Sequence, residues 1–104
     1  MFGQYITNAI MLLVYGERTP LLDVNMSRVL ERFFGPRQTS DIRYDPYLQA
    51  LAYRVVDLDE ARKINWAILD FGALVCKARQ PGCGSCLLAV KCKFLKSKKK
   101  KEKN

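Results

Sequence analysis

Apolar residues recur along this chain at intervals of three and four, the period of helices that bury one side. The first run, Gly3 to Tyr15, predicts an apolar helix that Gly16 stops. Ile6, Ile10, Leu13 and Val14 share one face of it, and Met11 and Leu12 widen that face, so the helix is expected to be buried on most sides. A loop with Pro20 follows. Asp23 or Asn25 then caps a second helix reaching Phe34, with Val29, Leu30, Phe33 and Phe34 as its core stripe and Gly35-Pro36 as its end. Residues 37–44 read as loop. Asp45-Pro46 is a cap plus a first-turn proline and starts a short helix to about Val56. Asp59 is the expected cap of a last helix through Trp66, Leu69, Phe71 and Leu74 to Val75. Trp66 and the Phe33–Phe34 pair are expected in the core. No segment alternates as a strand does, so the fold class is all-α.

Composition narrows the chemistry. The 104 residues carry a net charge of +8 and include no histidine, which removes Ser–His and Cys–His dyads and any His-ligated zinc or haem. The longest apolar run, Ala9 to Tyr15, is too short to span a bilayer, and no basic segment precedes it as in a signal peptide. The expectation is a soluble intracellular protein with no membrane partner. Residues 91–104 hold eight lysines and one glutamate, while residues 1–90 are nearly neutral with ten basic and nine acidic residues. The positive field therefore belongs to the tail. Lys98-Lys99-Lys100-Lys101 repels itself and is expected to be disordered, either as a solubilising tail or as a salt-sensitive contact to phosphates.

Cys76, Cys83, Cys86 and Cys92 are the only cysteines, spaced C-x6-C-x2-C-x5-C. Four thiolates this near in sequence can converge on one centre. Disulfides do not suit a chain without a secretion signal. A zinc site is possible, but only one C-x2-C knuckle is present where zinc modules commonly use two. An iron–sulfur cluster suits thiolate-only ligation by a compact loop, and spacing alone ranks it ahead of zinc without excluding zinc.

The cysteine spacing directly follows Ala67-Ile68-Leu69-Asp70-Phe71-Gly72-Ala73-Leu74-Val75, and together they resemble the 4Fe-4S loop that ends DNA glycosylases of the endonuclease III superfamily. Two upstream segments fall in the same order. Gly3-Gln4-Tyr5-Ile6-Thr7-Asn8-Ala9-Ile10 resembles the end of that family's helix-hairpin-helix, and Leu21-Leu22-Asp23-Val24-Asn25-Met26-Ser27-Arg28-Val29-Leu30 its catalytic segment. The resemblance covers residues 3 to about 94 but only the C-terminal half of the family. It implies a partial helix-hairpin-helix glycosylase fold: residues 1–75 as helical part, 76–94 as 4Fe-4S cluster loop and 95–104 as disordered lysine-rich tail. The first helix opens without a cap, so the chain is expected to be a fragment or to lean on missing N-terminal helices or a partner chain.

The same resemblance implies the site residues. Asp23 would be the catalytic carboxylate, which can stabilise a sugar cation or activate water, and can still cap its helix. Tyr5 stands where strand-cutting relatives carry a Schiff-base lysine, so the implied enzyme is monofunctional and similar to thymine-mismatch and adenine glycosylases. Asn25 and Arg28 would fix the local geometry. Cys76, Cys83, Cys86 and Cys92 would ligate the cluster. Gly3, Gln4, Lys77, Arg79, Lys91 and Lys93 would contact double-stranded DNA. The implied function is base-excision repair by hydrolysis of the N-glycosidic bond of a flipped base, in a prokaryotic cytoplasm at the nucleoid. Whether the base is adenine, thymine or uracil stays open, and the alternative is a non-catalytic iron–sulfur DNA-binding remnant.

Overall fold

The structure is a computed structural model that describes residues 2–102, with the side chains of residues 5–97. It holds five α-helices: α1 (Phe2–Leu13), α2 (Val24–Phe34), α3 (Pro46–Val55), α4 (Ala61–Leu74) and α5 (Lys93–Glu102). Two short 3-10 turns, Cys83–Ser85 and Ala89–Lys91, shape the cysteine segment between α4 and α5. There is no strand among the described residues, as the pattern predicts, and no described helix is long and apolar enough to cross a membrane.

Helix α2 is the hub, packed against α3, α4 and α5, while α1 leans on α4. Its inner face supplies Met26 and Leu30, which meet Leu48 and Ala52 of α3 in the main core. A second cluster joins Leu12 of α1, Leu21 and Ala61, and Leu69 of α4 packs against both clusters. Gly72 lets α2 and α4 cross closely: a Cβ there would sit 3.1 Å from Val29 Cγ2 and 3.2 Å from the Asn25 carbonyl oxygen.

Two of the three predicted aspartate caps hold, those of α2 and α3. Asp23 Oδ1 accepts from the Met26 N–H at 2.8 Å, and Asp45 Oδ1 from the Leu48 N–H at 2.9 Å, each occupying an otherwise unpaired first-turn donor. Gly16 has φ +69° just after α1, and Gly35 has φ +129° at the end of α2, backbone shapes that favour glycine.

Four expectations are corrected. Asp59 does not cap α4: Glu60 holds that position without a side-chain cap bond, and Asp59 pairs with Arg18 instead. The inner side of α1 is Asn8, Ala9 and Leu12, not the Ile6–Ile10–Leu13–Val14 stripe, whose members are exposed, Val14 by 69%. The loop beneath α1 offers carbonyl groups that need a polar partner, and Asn8 turns that way. Trp66 is 49% exposed, because Ala61, Asn65 and Gly72 form the inner face of α4 and Trp66 lies about a third of a turn from its centre. Phe34 is also exposed, set edge-on against half-buried Phe33 at 4.8 Å between ring centres. Finally, the backbone is helical over Lys93–Glu102, where a disordered tail is expected from residue 95. Phe94 and Leu95 anchor the start of that helix against α2, and lysine itself is a good helix former. Lys98 to Lys101 have helical backbone, and their side chains lie outside the described set, as does all of Lys103-Asn104.

Candidate functional site

Asp23 ends a loop that two buried asparagines hold in place. Asn65 is fully buried; its Nδ2 donates to the Thr19 and Ala61 carbonyls at 3.1 and 2.8 Å, and its Oδ1 accepts from the Leu21 N–H at 2.7 Å. From α1, Asn8 Nδ2 donates to the Pro20 carbonyl at 3.1 Å, while Thr19 Oγ1 donates back to the Asn8 carbonyl at 2.7 Å. The loop between residues 19 and 21 is thus fixed from both sides, directly before Asp23.

Asp23 is half-buried and uses one carboxylate oxygen as the cap of α2. The other, Oδ2, has only a long contact of 3.5 Å from Asn25 Nδ2. Asp23 lines an open cleft of about 1110 Å³ that also takes in Tyr5 and Asn8 from α1, Ser27, Arg28, Glu31 and Arg32 from α2, Arg37 to Arg43 in part, and Ala78. The structure therefore brings Tyr5 and Asp23 to one cleft, eighteen positions apart in sequence.

The far wall of the cleft is braced by ion pairs. Glu31 accepts from Ser27 Oγ at 2.6 Å, from the Arg37 N–H at 3.0 Å and from Arg37 Nη1 at 2.9 Å. Partial burial alone would raise the Glu31 carboxyl, but these donors outweigh it and hold it below the usual carboxylate range. Asp41 is held low by the Arg43 guanidinium and backbone N–H. Asp45, behind them, accepts from the Gln38 and Thr39 N–H groups at 2.6 and 2.7 Å besides its cap bond. Burial pushes its carboxyl up, and the three backbone donors from Leu48, Thr39 and Gln38 prevail and lower it.

The second site lies at the other end of α2. Cys76, Cys83, Cys86 and Cys92, all free and half-buried, line one cavity with Val29, Phe33, Phe71, Phe94 and Leu95. The donor set is sulphur alone, no Asp or Glu lines the cavity, and the other walls are mostly apolar. These residues fit a thiophilic group held by four thiolates. Among the described residues, no three Cys, Asp or Glu side chains are gathered as a metal-holding group.

Two arginines of α2 fasten this segment. Arg28 Nε donates to the Cys76 carbonyl at 2.9 Å and Nη2 to Gly72 at 2.6 Å. Arg32 Nη1 donates to the Lys77 carbonyl at 2.6 Å and Nη2 to Ala78 at 3.2 Å. The sequence reading gives Arg28 a supporting role and misses Arg32. Their spacing of four, which puts both on one face of α2, was the available signal. Lys77, Arg79, Lys91 and Lys93 are all exposed along the cysteine segment. Gly3 and Gln4 fall in α1 by backbone, but their surroundings lie outside the described residues.

A helical hub carrying a helix-capping aspartate that lines a cleft at one end and a four-cysteine cavity at the other defines a particular class of protein, and comparison with known sequences identifies it. No family model matches the chain. A thymine-DNA glycosylase of Aeropyrum pernix is 38% identical over 89 residues, which are 83% of this chain and 40% of that protein. An adenine DNA glycosylase of Arabidopsis thaliana is 30% identical over 95 residues, 88% of this chain and 15% of that protein. A solved structure of a thermostable thymine-DNA glycosylase superposes with a TM-score of 0.81 at 29% identity, covering 89% of this chain and 43% of the other. The homologues of this chain are thus thymine/uracil and adenine DNA glycosylases, members of the endonuclease III superfamily. The chain spans about two-fifths of the length of the thymine and thymine/uracil relatives.

Proposed function

We propose that the chain is the catalytic-aspartate and iron–sulfur part of a monofunctional base-excision DNA glycosylase. It would act on a nucleotide flipped out of double-stranded DNA and hydrolyse its N-glycosidic bond. The observation that carries this reading is Asp23: one oxygen fixes the helix, the other has only a long contact to Asn25, and the residue lines a cleft shared with Tyr5. A carboxylate held there can stabilise positive charge developing on the sugar, or take a proton from the attacking water. Tyr5 has no amine, so it offers no Schiff-base route to strand cleavage. It remains available to orient the sugar or the base.

The base we assign is a mispaired thymine or uracil. Relatives at 38% and 37% identity are named a thymine-DNA and a thymine/uracil-DNA glycosylase, and the superposed structure is a thymine-DNA glycosylase. Adenine is the second reading, favoured by the adenine glycosylases among the homologues. The chromosomal DNA of a prokaryotic cytoplasm is the assigned place of action. The cleft is open on one side, and further helices or a partner chain would close it around the base.

Cys76, Cys83, Cys86 and Cys92 would hold a 4Fe-4S cluster. Four cysteines around one largely apolar cavity, in a chain with no histidine, suit thiolate-only ligation of such a cluster. Such a cluster supplies a covalent staple that fixes the loop carrying Lys77, Arg79 and Lys91. Those side chains, with Lys93 and the backbone of Gly3 and Gln4, would hold DNA phosphates.

The test is base release from duplexes with G·T, G·U and A·G mispairs, measured with the chain alone and with a longer protein that adds any coding sequence found upstream. Release of thymine or uracil without strand scission supports the reading. Release of adenine alone supports the second. DNA binding with no base release from any duplex, even by the longer protein, leaves the non-catalytic remnant.

A further inference from the structure

Arg32 touches the cysteine site at both of its ends. Its Nη1 lies 3.5 Å from Cys76 Sγ, as a donor, and the same nitrogen holds the Lys77 carbonyl at 2.6 Å. Nη2 holds the Ala78 carbonyl at 3.2 Å. The Arg32 carbonyl accepts from Cys92 Sγ at 3.5 Å. Its guanidinium carbon also sits 4.6 Å above the ring centre of Phe94, two residues past Cys92. The first and last cysteines of the set, sixteen positions apart, thus meet one residue of α2.

We infer that Arg32 is the positioning residue for the first and last ligands of the cysteine site and sets how firmly, and at what potential, that site holds its cluster. This rests on the reading that the four cysteines hold an iron–sulfur cluster. The charge argument is direct. A ligating Cys76 is a thiolate, and a guanidinium N–H aimed at it makes a charge-assisted bond stronger than the thiol contact. Cys92 gives up its proton on ligation, as any metal-bound thiol does, and its bond to the Arg32 carbonyl ends there. Arg32 then remains attached through the two neighbouring carbonyls and the Phe94 ring, which a point-like ammonium cannot match in geometry. A fixed cation beside a ligand sulphur also favours the more negative, reduced form of a cluster, so it raises the reduction potential.

The test compares the parent chain with Arg32→Met and Arg32→Lys, all loaded with iron and sulfide without oxygen. Three quantities are read: iron per chain, the rate of iron loss to a strong iron(II) chelator, and the midpoint potential by mediated titration. Arg32→Met should lose iron about tenfold faster, the scale of one lost charged hydrogen bond, and its potential should move negative. Arg32→Lys should keep the potential near that of the parent, because the charge remains, but lose iron faster, because the fork to Lys77 and Ala78 is gone. Should the Met variant fail to load, the Lys variant carries the test through its loss rate. Equal loss rates and equal potentials in loaded proteins would overturn the inference. A parent chain that takes up no iron would instead overturn the cluster reading beneath it.

Discussion

Arg28 and Cys76 are joined across forty-eight positions of sequence by a hydrogen bond from Nε to the backbone carbonyl at 2.9 Å. Through Nη2 the same guanidinium satisfies the Gly72 carbonyl near the end of α4, and Asn25 Oδ1 accepts from it at 3.1 Å. Five residues before Arg28, Asp23 begins the same helix. The candidate carboxylate and the cysteine segment are therefore two ends of one braced unit, with α2 as the rod between them. Arg28→Ala should lower stability by about 1.5–3 kcal/mol, the range for a hydrogen bond to a charged group, because helix-end carbonyls lose their donor. Thermal melting checks this, and an unchanged melting temperature would show that the carbonyls find other partners.

The cysteine site predicts about four irons per chain when the protein is prepared without oxygen. Cys83→Ala should abolish the visible absorption of thiolate-bound iron and loosen the chain from Cys76 onward, since a small domain depends on such staples. Metal analysis and protease mapping of that segment report both effects. A preparation that holds zinc and no iron contradicts the assignment.

Acid should weaken the wall of the cleft. Asp45, Glu31 and Asp41 all have carboxyls lowered in the folded chain. A lowered folded value means that the contribution is complete above the unfolded value, about 4, and is lost as pH falls through the still lower folded value. Stability should therefore be flat from neutrality to about pH 5 and decline below about pH 4. Asp45→Asn should be less stable at neutral pH and show a shallower acid decline, because the amide has one acceptor oxygen where the carboxylate uses two. Melting curves against pH decide it.

Which parts of this arrangement were legible in the sequence depended on how local their causes are. Asp23, Asp45-Pro46, Gly16 and Gly35 act within a few residues of themselves, and each marks a helix boundary as expected. Asp59 obeys the same local rule on paper but is taken by Arg18, forty-one positions away. The four cysteines announce their convergence by spacing. Arg32, which holds the loop they share, shows only its spacing of four from Arg28, because its carbonyl partners are forty-five and forty-six positions distant. The inner face of α1 was misjudged for a related reason. Hydropathy favours Ile6 and Ile10, yet the neighbouring loop presents the Pro20 carbonyl, and Asn8 answers it. Asn8 and Asn65 were missed as anchors of the Asp23 loop, though a lone amide inside an apolar helix was their signal.

DNA binding should be mainly electrostatic. Residues from Lys91 onward carry +7 of the +8 net charge, and each neutralised duplex phosphate adds about 0.9 to the log–log salt slope. Removing the residues after Leu95 should flatten that slope without changing the cysteine site. Binding that is equal at low and high salt would exclude the tail as a DNA contact.

The central claim, that Asp23 performs base release as well as capping α2, is tested most directly by single-turnover base release from mispaired duplex with Asp23→Asn in the protein carrying its complete cleft. Asparagine keeps an oxygen for the Met26 N–H but cannot stabilise a sugar cation, so release should fall about a hundredfold or more while DNA affinity stays close to that of the parent. As a control on chemistry, Tyr5→Lys should yield a borohydride-trapped protein–DNA adduct that the parent does not form. Release by Asp23→Asn at the parent's rate would contradict the account and leave Asp23 as a helix cap alone.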